Sequence, residues 1–180
     1  MRLIHWINLL LLAAVVGGSV WAWPHLPERI PAHLGAGGEV TRWTGRTAGS
    51  WFLLPLITLA TVALNYGIAA LLPARPHLMN LPDRKRFLAL PPKHQAPVIA
   101  RMQDFLYGFS APLILLMGAI QWTMYRAAVG REGTADVLVV LLASFLLTPL
   151  VLIVWLPRIQ AELRRQVREH AATTEGASGG

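Results

Sequence analysis

Four stretches in which apolar residues run almost unbroken dominate the chain, at about 3–23, 51–72, 105–125 and 137–156. A hydrocarbon core about 30 Å thick is crossed by roughly 20 helical residues. Each stretch is long enough to span it, and together they predict an all-α polytopic membrane protein with four transmembrane helices in a bundle. Trp6, Trp21, Trp23, Trp51, Trp122 and Trp155 fall near the predicted ends, where amphipathic indole rings settle at the membrane surface. Polar residues return between the stretches. They define a first loop over 24–50, a second over 73–104, a short third one, and a tail over 158–180.

Polar positions inside the spans are few: Asn8, Thr58, Thr61, Asn65, Gln121, Thr123, Ser144 and Thr148. Their expected role is hydrogen bonding between helices. His5, Asp104 and Asp136 lie at helix ends, and no carboxylate, lysine or arginine sits mid-span. Pumps and coupled transporters place such charges near the bilayer centre, so the pattern argues against transport. Pro55, Pro112 and Pro149 put one proline in each of the last three spans and predict kinks. Ala13 and Gly17, with Ala14 and Gly18, give the first span a small-residue face suited to close helix packing.

Charge sets the expected orientation. Arg2 precedes the first span, Arg75, Arg84, Lys85, Arg86, Lys93 and Arg101 fill the second loop, and Arg158, Arg164, Arg165 and Arg168 follow the fourth span. The first loop has Arg29, Arg42 and Arg46, and the third has Arg126 and Arg131. The positive-inside rule then places both termini and the second loop in the cytoplasm, with the first loop outside. Val20-Trp21-Ala22 has the outline of a signal-peptide cleavage site. The apolar run is longer than a signal core and ends in tryptophans, so an uncleaved anchor is expected.

Composition agrees: the chain is 54% hydrophobic and 14% charged, with a mean hydropathy of +0.48. The formal charge of +7 is dispersed and points to lipid headgroups rather than nucleic acid. The chain has no cysteine, which excludes disulfides, thiolate metal sites and cysteine nucleophiles.

In the second loop, Asn80-Leu81-Pro82-Asp83 reads as a helix start capped by Asn80, and Leu90-Pro91-Pro92 ends that helix. A second helix is expected from about Ala96-Pro97 into the third span, with Val98, Met102 and Phe105 at helical spacing. The pair suggests a basic amphipathic segment on the inner leaflet, or a docking site for a cytoplasmic partner protein. Ile159, Leu163 and Val167 recur every four residues after Pro157 and predict an amphipathic extension of the fourth helix. The small, polar residues from Ala171 onward predict disorder.

Candidate chemistry concentrates in the first loop. Leu26-Pro27-Glu28-Arg29-Ile30-Pro31-Ala32-His33 runs into Gly35-Ala36-Gly37-Gly38-Glu39, followed by Trp43 and Arg46. Each proline fixes its own φ and biases its predecessor toward extended geometry. The expectation is a shaped loop in which the prolines set the backbone and His33 organises it by hydrogen bonding. Trp43 would anchor the return to the membrane. Such a loop suits an extracytoplasmic peptide or lipid ligand. The alternative is a small membrane-embedded enzyme with His33 as general base and Glu28 or Glu39 orienting it. His25, His33 and Glu39 are weak metal candidates, since their spacing matches no helical ligand pattern. Nothing in the chain calls for a cofactor.

The loop motif resembles a bacterial membrane domain of unknown function found in SdpI-type immunity proteins and their relatives. The resemblance rests on Leu26-Pro27, Ile30-Pro31, His33, Gly38-Glu39, Trp43 and Arg46, and is strongest over about Val16 to Leu64. It implies a multi-span protein of the bacterial cytoplasmic membrane. The best-known members protect a cell from its own peptide toxin and hold a transcriptional autorepressor at the membrane. By matching position, Pro27, Pro31, His33, Gly38 and Glu39 are the motif residues. The resemblance assigns none of them a reaction.

Overall fold

The computed structural model describes residues 2–35, 39–130 and 134–178. The fold is mostly helical: α1 (Arg2–Ala22), α2 (Ala48–Leu71), the short α3 (Arg84–Ala89), α4 (Pro92–Ala128) and α5 (Thr134–Ser178). Between α1 and α2 lie two strands, β1 (Arg29–Leu34) and β2 (Val40–Gly45), paired as an antiparallel hairpin. Among the described residues three helical segments are long and apolar enough to cross a membrane: Leu3–His25, Ala48–Leu71 and Pro92–Ala128. The fourth expected span falls on α5, where many side chains, including those of Asp136, Ser144 and Thr148, lie outside the described residues. The described flanks of the spans carry outward-facing Leu3, Leu10, Leu56 and Leu64. A soluble fold would bury such side chains; a hydrocarbon solvent does not require it.

Proline chemistry explains how α2 and α4 are held together. Pro55 has no N–H, so the carbonyl of Trp51 loses its intrahelical partner. Gln121 Nε2, from α4, donates to that carbonyl at 3.2 Å. Eighteen residues along α2, the carbonyl of Ala69 faces Pro73 and is released in the same way. Gln103 Nε2 donates to it at 2.9 Å. Eighteen residues make five turns of helix, so both locks lie on one face of each antiparallel helix. Between them Asn65 Nδ2 donates to the Ser110 hydroxyl at 3.2 Å.

The expected small-residue contact is placed differently. A side chain added at Gly17 or Gly18 would meet nothing within 4 Å, so these glycines border open space. The close approach between α1 and α4 is at Gly118, where a Cβ would lie 2.7 Å from Val15 Cγ2. Spacing alone could not show which partner contributes the small residue.

With 37 residues, α4 is about 55 Å long, well beyond a membrane core. Its first turns pack against α3 and the far part of α5. The core of this end holds Leu72, Met79, Leu81, Phe87, Leu90, Val98, Ile99, Ile159 and Leu163, with Met102, Phe105 and Val167 packed against it. The apolar faces expected to lie on the leaflet thus meet one another within the chain. Asn80 is not the helix cap: α3 starts at Arg84 with Asp83 in the cap position, and no side chain caps it. α5 passes through Pro157 and stays helical to Ser178, where the sequence suggested disorder from Ala171. Once a packed turn has nucleated a helix, adding residues costs little. The hydroxyls of Thr173 and Thr174 bond back to the carbonyls of Glu169 and His170.

Candidate functional site

The first loop is an ordered β-hairpin, where the sequence led to a shaped loop within an all-α fold. Ile30 opposes Thr44, Pro31 opposes Trp43, and His33 opposes Arg42, with register breaks on either side of His33. Pro31 cannot donate to the ladder, and Ala32 is the extra residue on β1. Thr41 is the compensating extra residue on β2, which restores the pairing of Leu34 with Val40. The second bulge turns the Thr41 hydroxyl onto His33 Nδ1 at 2.6 Å. Gly35 N–H closes the tip on the Glu39 carbonyl at 2.8 Å. A Cβ at Gly35 would run into the Glu39 carboxylate. Gly37 and Gly38 lie outside the described residues.

The hairpin is fastened to three helices. Ala22, Leu26, Ile30 and Trp51 form a buried cluster, flanked by Trp23, Phe52, Met124, Tyr125 and Ala128. Ile30 is only 1% exposed, and Pro31 is buried. Trp51 Nε1 donates to the Ser19 carbonyl at 2.8 Å, satisfying one of the last carbonyls of α1. His25 Nδ1 lies 2.9 Å from the Trp21 carbonyl, at the same helix end. Arg46 NH1 donates to the Leu26 carbonyl at 2.7 Å, and its guanidinium stands 5.5 Å from the centre of the Trp23 ring. Its own N–H donates to the Glu28 carbonyl at 2.8 Å. Thr47 and Ser50 then form a reciprocal capping box that starts α2 at Ala48, three residues before the expected Trp51.

These contacts separate the sequence candidates. Pro31 and Arg46 hold the hairpin in place, while Pro27, His33, Glu39 and Trp43 face outward. His25 sits at the end of α1, bonded to the main chain rather than grouped with His33. Among the described residues neither Glu28 nor Glu39 forms an ion pair with His33. Nor do three His, Asp or Glu side chains come together as a metal site there.

Two hollows flank Trp51. One, about 410 Å³, is an apolar groove between the hairpin-end halves of α1 and α4, bordered by Ala14, Gly18, Trp21, Ala119 and Trp122. The other, about 330 Å³, lies beneath the hairpin, between Pro31, Arg42 and Thr44 above and Ser50, Leu54 and Met124 below. Trp51 and Gln121 line both. Each volume is in the range of small-ligand pockets. Gln121 and Arg42 had no assigned role at this site in the sequence; only the convergence of three helices and a hairpin puts them there.

At the opposite end of the helices a polar cluster gathers residues distant in sequence. His5 Nδ1 is 3.0 Å from the Tyr66 hydroxyl, and Asn8 Nδ2 donates to that hydroxyl and to the Tyr107 carbonyl at 3.0 and 2.9 Å. The rings of His5 and Tyr66 each stand 4.7 Å from that of Tyr107. Asn8 was legible as an in-span polar residue; its partners Tyr66 and Tyr107 carried no signal in their own segments.

Residues 9–59 match a protein family described as a domain of unknown function, DUF1648. The matched stretch takes in most of α1, the hairpin and the first half of α2. No curated protein and no solved structure matches the chain.

Proposed function

We propose that this is a non-enzymatic binding module of a bacterial cytoplasmic membrane, of the signalling or toxin-immunity type, that captures an amphipathic ligand at its outer face. In this reading four helices span the bilayer, both termini are cytoplasmic, and the hairpin faces outward. The ligand's apolar part enters the groove beside Trp51, and its polar part meets Arg42, His33 and Trp43. The observation that carries the proposal is the pair of hollows meeting at Trp51 and Gln121 beneath a hairpin pinned on three sides. A pinned scaffold with exposed polar and aromatic tips favours recognition at low ordering cost. His33 supports binding better than catalysis, because its Nδ1 is engaged by a neutral hydroxyl and no carboxylate among the described residues orients the ring.

A photo-crosslinking residue placed in living cells tests this. At Ala14 in the groove and at Ala32 on the hairpin it should capture one and the same amphipathic molecule. At Ile153, an outward-facing position on α5, it should capture only bulk lipid. Bulk phospholipid in equal proportions at all three positions would overturn the proposal.

A further inference from the structure

Three arginines converge at the cytoplasmic end, and among the described residues none of them has a hydrogen-bond or ion-pair partner. Arg86 on α3 and Arg164 and Arg168 on α5 line a hollow of about 260 Å³, with Leu163 and Val167 as its apolar floor and Asp83 on its rim. Neighbouring basic residues are engaged elsewhere. Arg84 donates to the His77 carbonyl at 2.7 Å, and Arg165 is neutralised by Glu162 at 3.1 Å and Glu169 at 3.3 Å. Arg164 and Arg168, one turn apart on the same side of α5, have no such ion pair among the described residues and repel each other, with one carboxylate, Asp83, lining the same hollow. Arg86 faces them from a separate element.

An unpaired cluster of this kind disfavours the bare fold and favours an anion that bridges it. Guanidinium groups match phosphate oxygens in fork geometry and hold them with charge-assisted hydrogen bonds. We infer that the hollow between α3 and α5 is a binding site for a phosphoryl group. In the membrane its source is the headgroup of an anionic phospholipid. Leu88, two residues from Arg86, and Leu78 are 39% and 55% exposed and would dip toward the leaflet beside the site. The Leu163 and Val167 floor accepts glycerol carbons, and the Asp83 carboxylate accepts a headgroup hydroxyl. The site is independent of the ligand proposed for the outer face.

The test uses the full chain purified in a mild nonionic detergent, with thermal unfolding followed against added lipid. Dioleoylphosphatidylglycerol should raise the unfolding midpoint well beyond dioleoylphosphatidylcholine at equal concentration. Arg164→Gln with Arg168→Gln should weaken the apparent affinity about tenfold or more, the loss expected for removing charge-assisted bonds. Arg29→Gln, which lowers the net charge at the hairpin end of the molecule and touches neither hollow there, should leave it unchanged. If the double variant unfolds early without lipid, Arg86→Gln reads the same site from α3. Glycerol 3-phosphate giving the full shift at matching concentration would support the phosphoryl site and assign it to a soluble phosphate monoester. Equal weakening by Arg29→Gln, or no response to either phosphoryl compound, would overturn the inference.

Discussion

Replacing Gln121 by leucine removes one hydrogen bond at a point where the backbone cannot repair the loss. Gln121 is 5% exposed, and its amide donates to the Trp51 carbonyl that Pro55 has released. Leaving a buried carbonyl without a partner costs about 1–3 kcal/mol. Interhelical side-chain bonds in membrane proteins average about 0.6 and reach about 1.7 kcal/mol, because the unfolded reference also finds partners. A cost between these two figures, about 1–1.5 kcal/mol, is expected for Gln121→Leu, whose volume change is small. The decisive comparison uses Pro55→Ala, which restores the N–H one turn along α2. In that background the Trp51 carbonyl is satisfied within its own helix, and Gln121→Leu should cost almost nothing. A double-mutant cycle, read by reversible denaturant unfolding in detergent, should show a coupling of about 1 kcal/mol. Equal costs of Gln121→Leu in both backgrounds would refute the proline-release argument.

Trp51→Phe keeps an aromatic ring but removes the donor to the Ser19 carbonyl and part of the buried indole volume; a loss of at least about 1–3 kcal/mol is expected, with faster hydrogen exchange at the end of α1. Ile30→Ala opens a cavity in the cluster that docks the hairpin and should cost about 2–5 kcal/mol, seen as protease sensitivity confined to residues 26–46. His33→Ala and Thr41→Val remove the two ends of one exposed bond; each should cost under about 1 kcal/mol, and the pair no more than either alone in the same unfolding assay. For orientation, cysteine at Thr41 should react with an impermeant thiol reagent in intact cells and cysteine at Ala89 should not; the reverse labelling would invert the proposed topology.

Much of the architecture can be read from one dimension because the bilayer imposes a one-dimensional rule. An apolar run long enough to cross it must close its own backbone hydrogen bonds and become a helix. The first three spans, the apolar line Ile159, Leu163 and Val167, and the helix through Val98 and Met102 all follow from run length and period. The hairpin was hidden by its own chemistry. Pro27 and Pro31 are poor strand residues and mask the β-prone Ile30, Val40, Thr41 and Thr44 on either side of the glycines. The strand survives because paired bulges absorb the missing donor and helices bury Ile30.

The sequence by itself determined that this chain is helical, apolar and suited to a membrane, and that its chemistry gathers near Pro31 and His33. Run length, proline geometry and charge are local properties, and they need no partner to be read. Tertiary structure decided what those residues touch. It paired Gln121 and Gln103 with carbonyls that prolines had released, set Thr41 on His33, opened hollows on both sides of Trp51, and turned Arg86 toward Arg164 and Arg168. Each of these joins positions many residues apart, and only the packing of helices against one another brings them within reach.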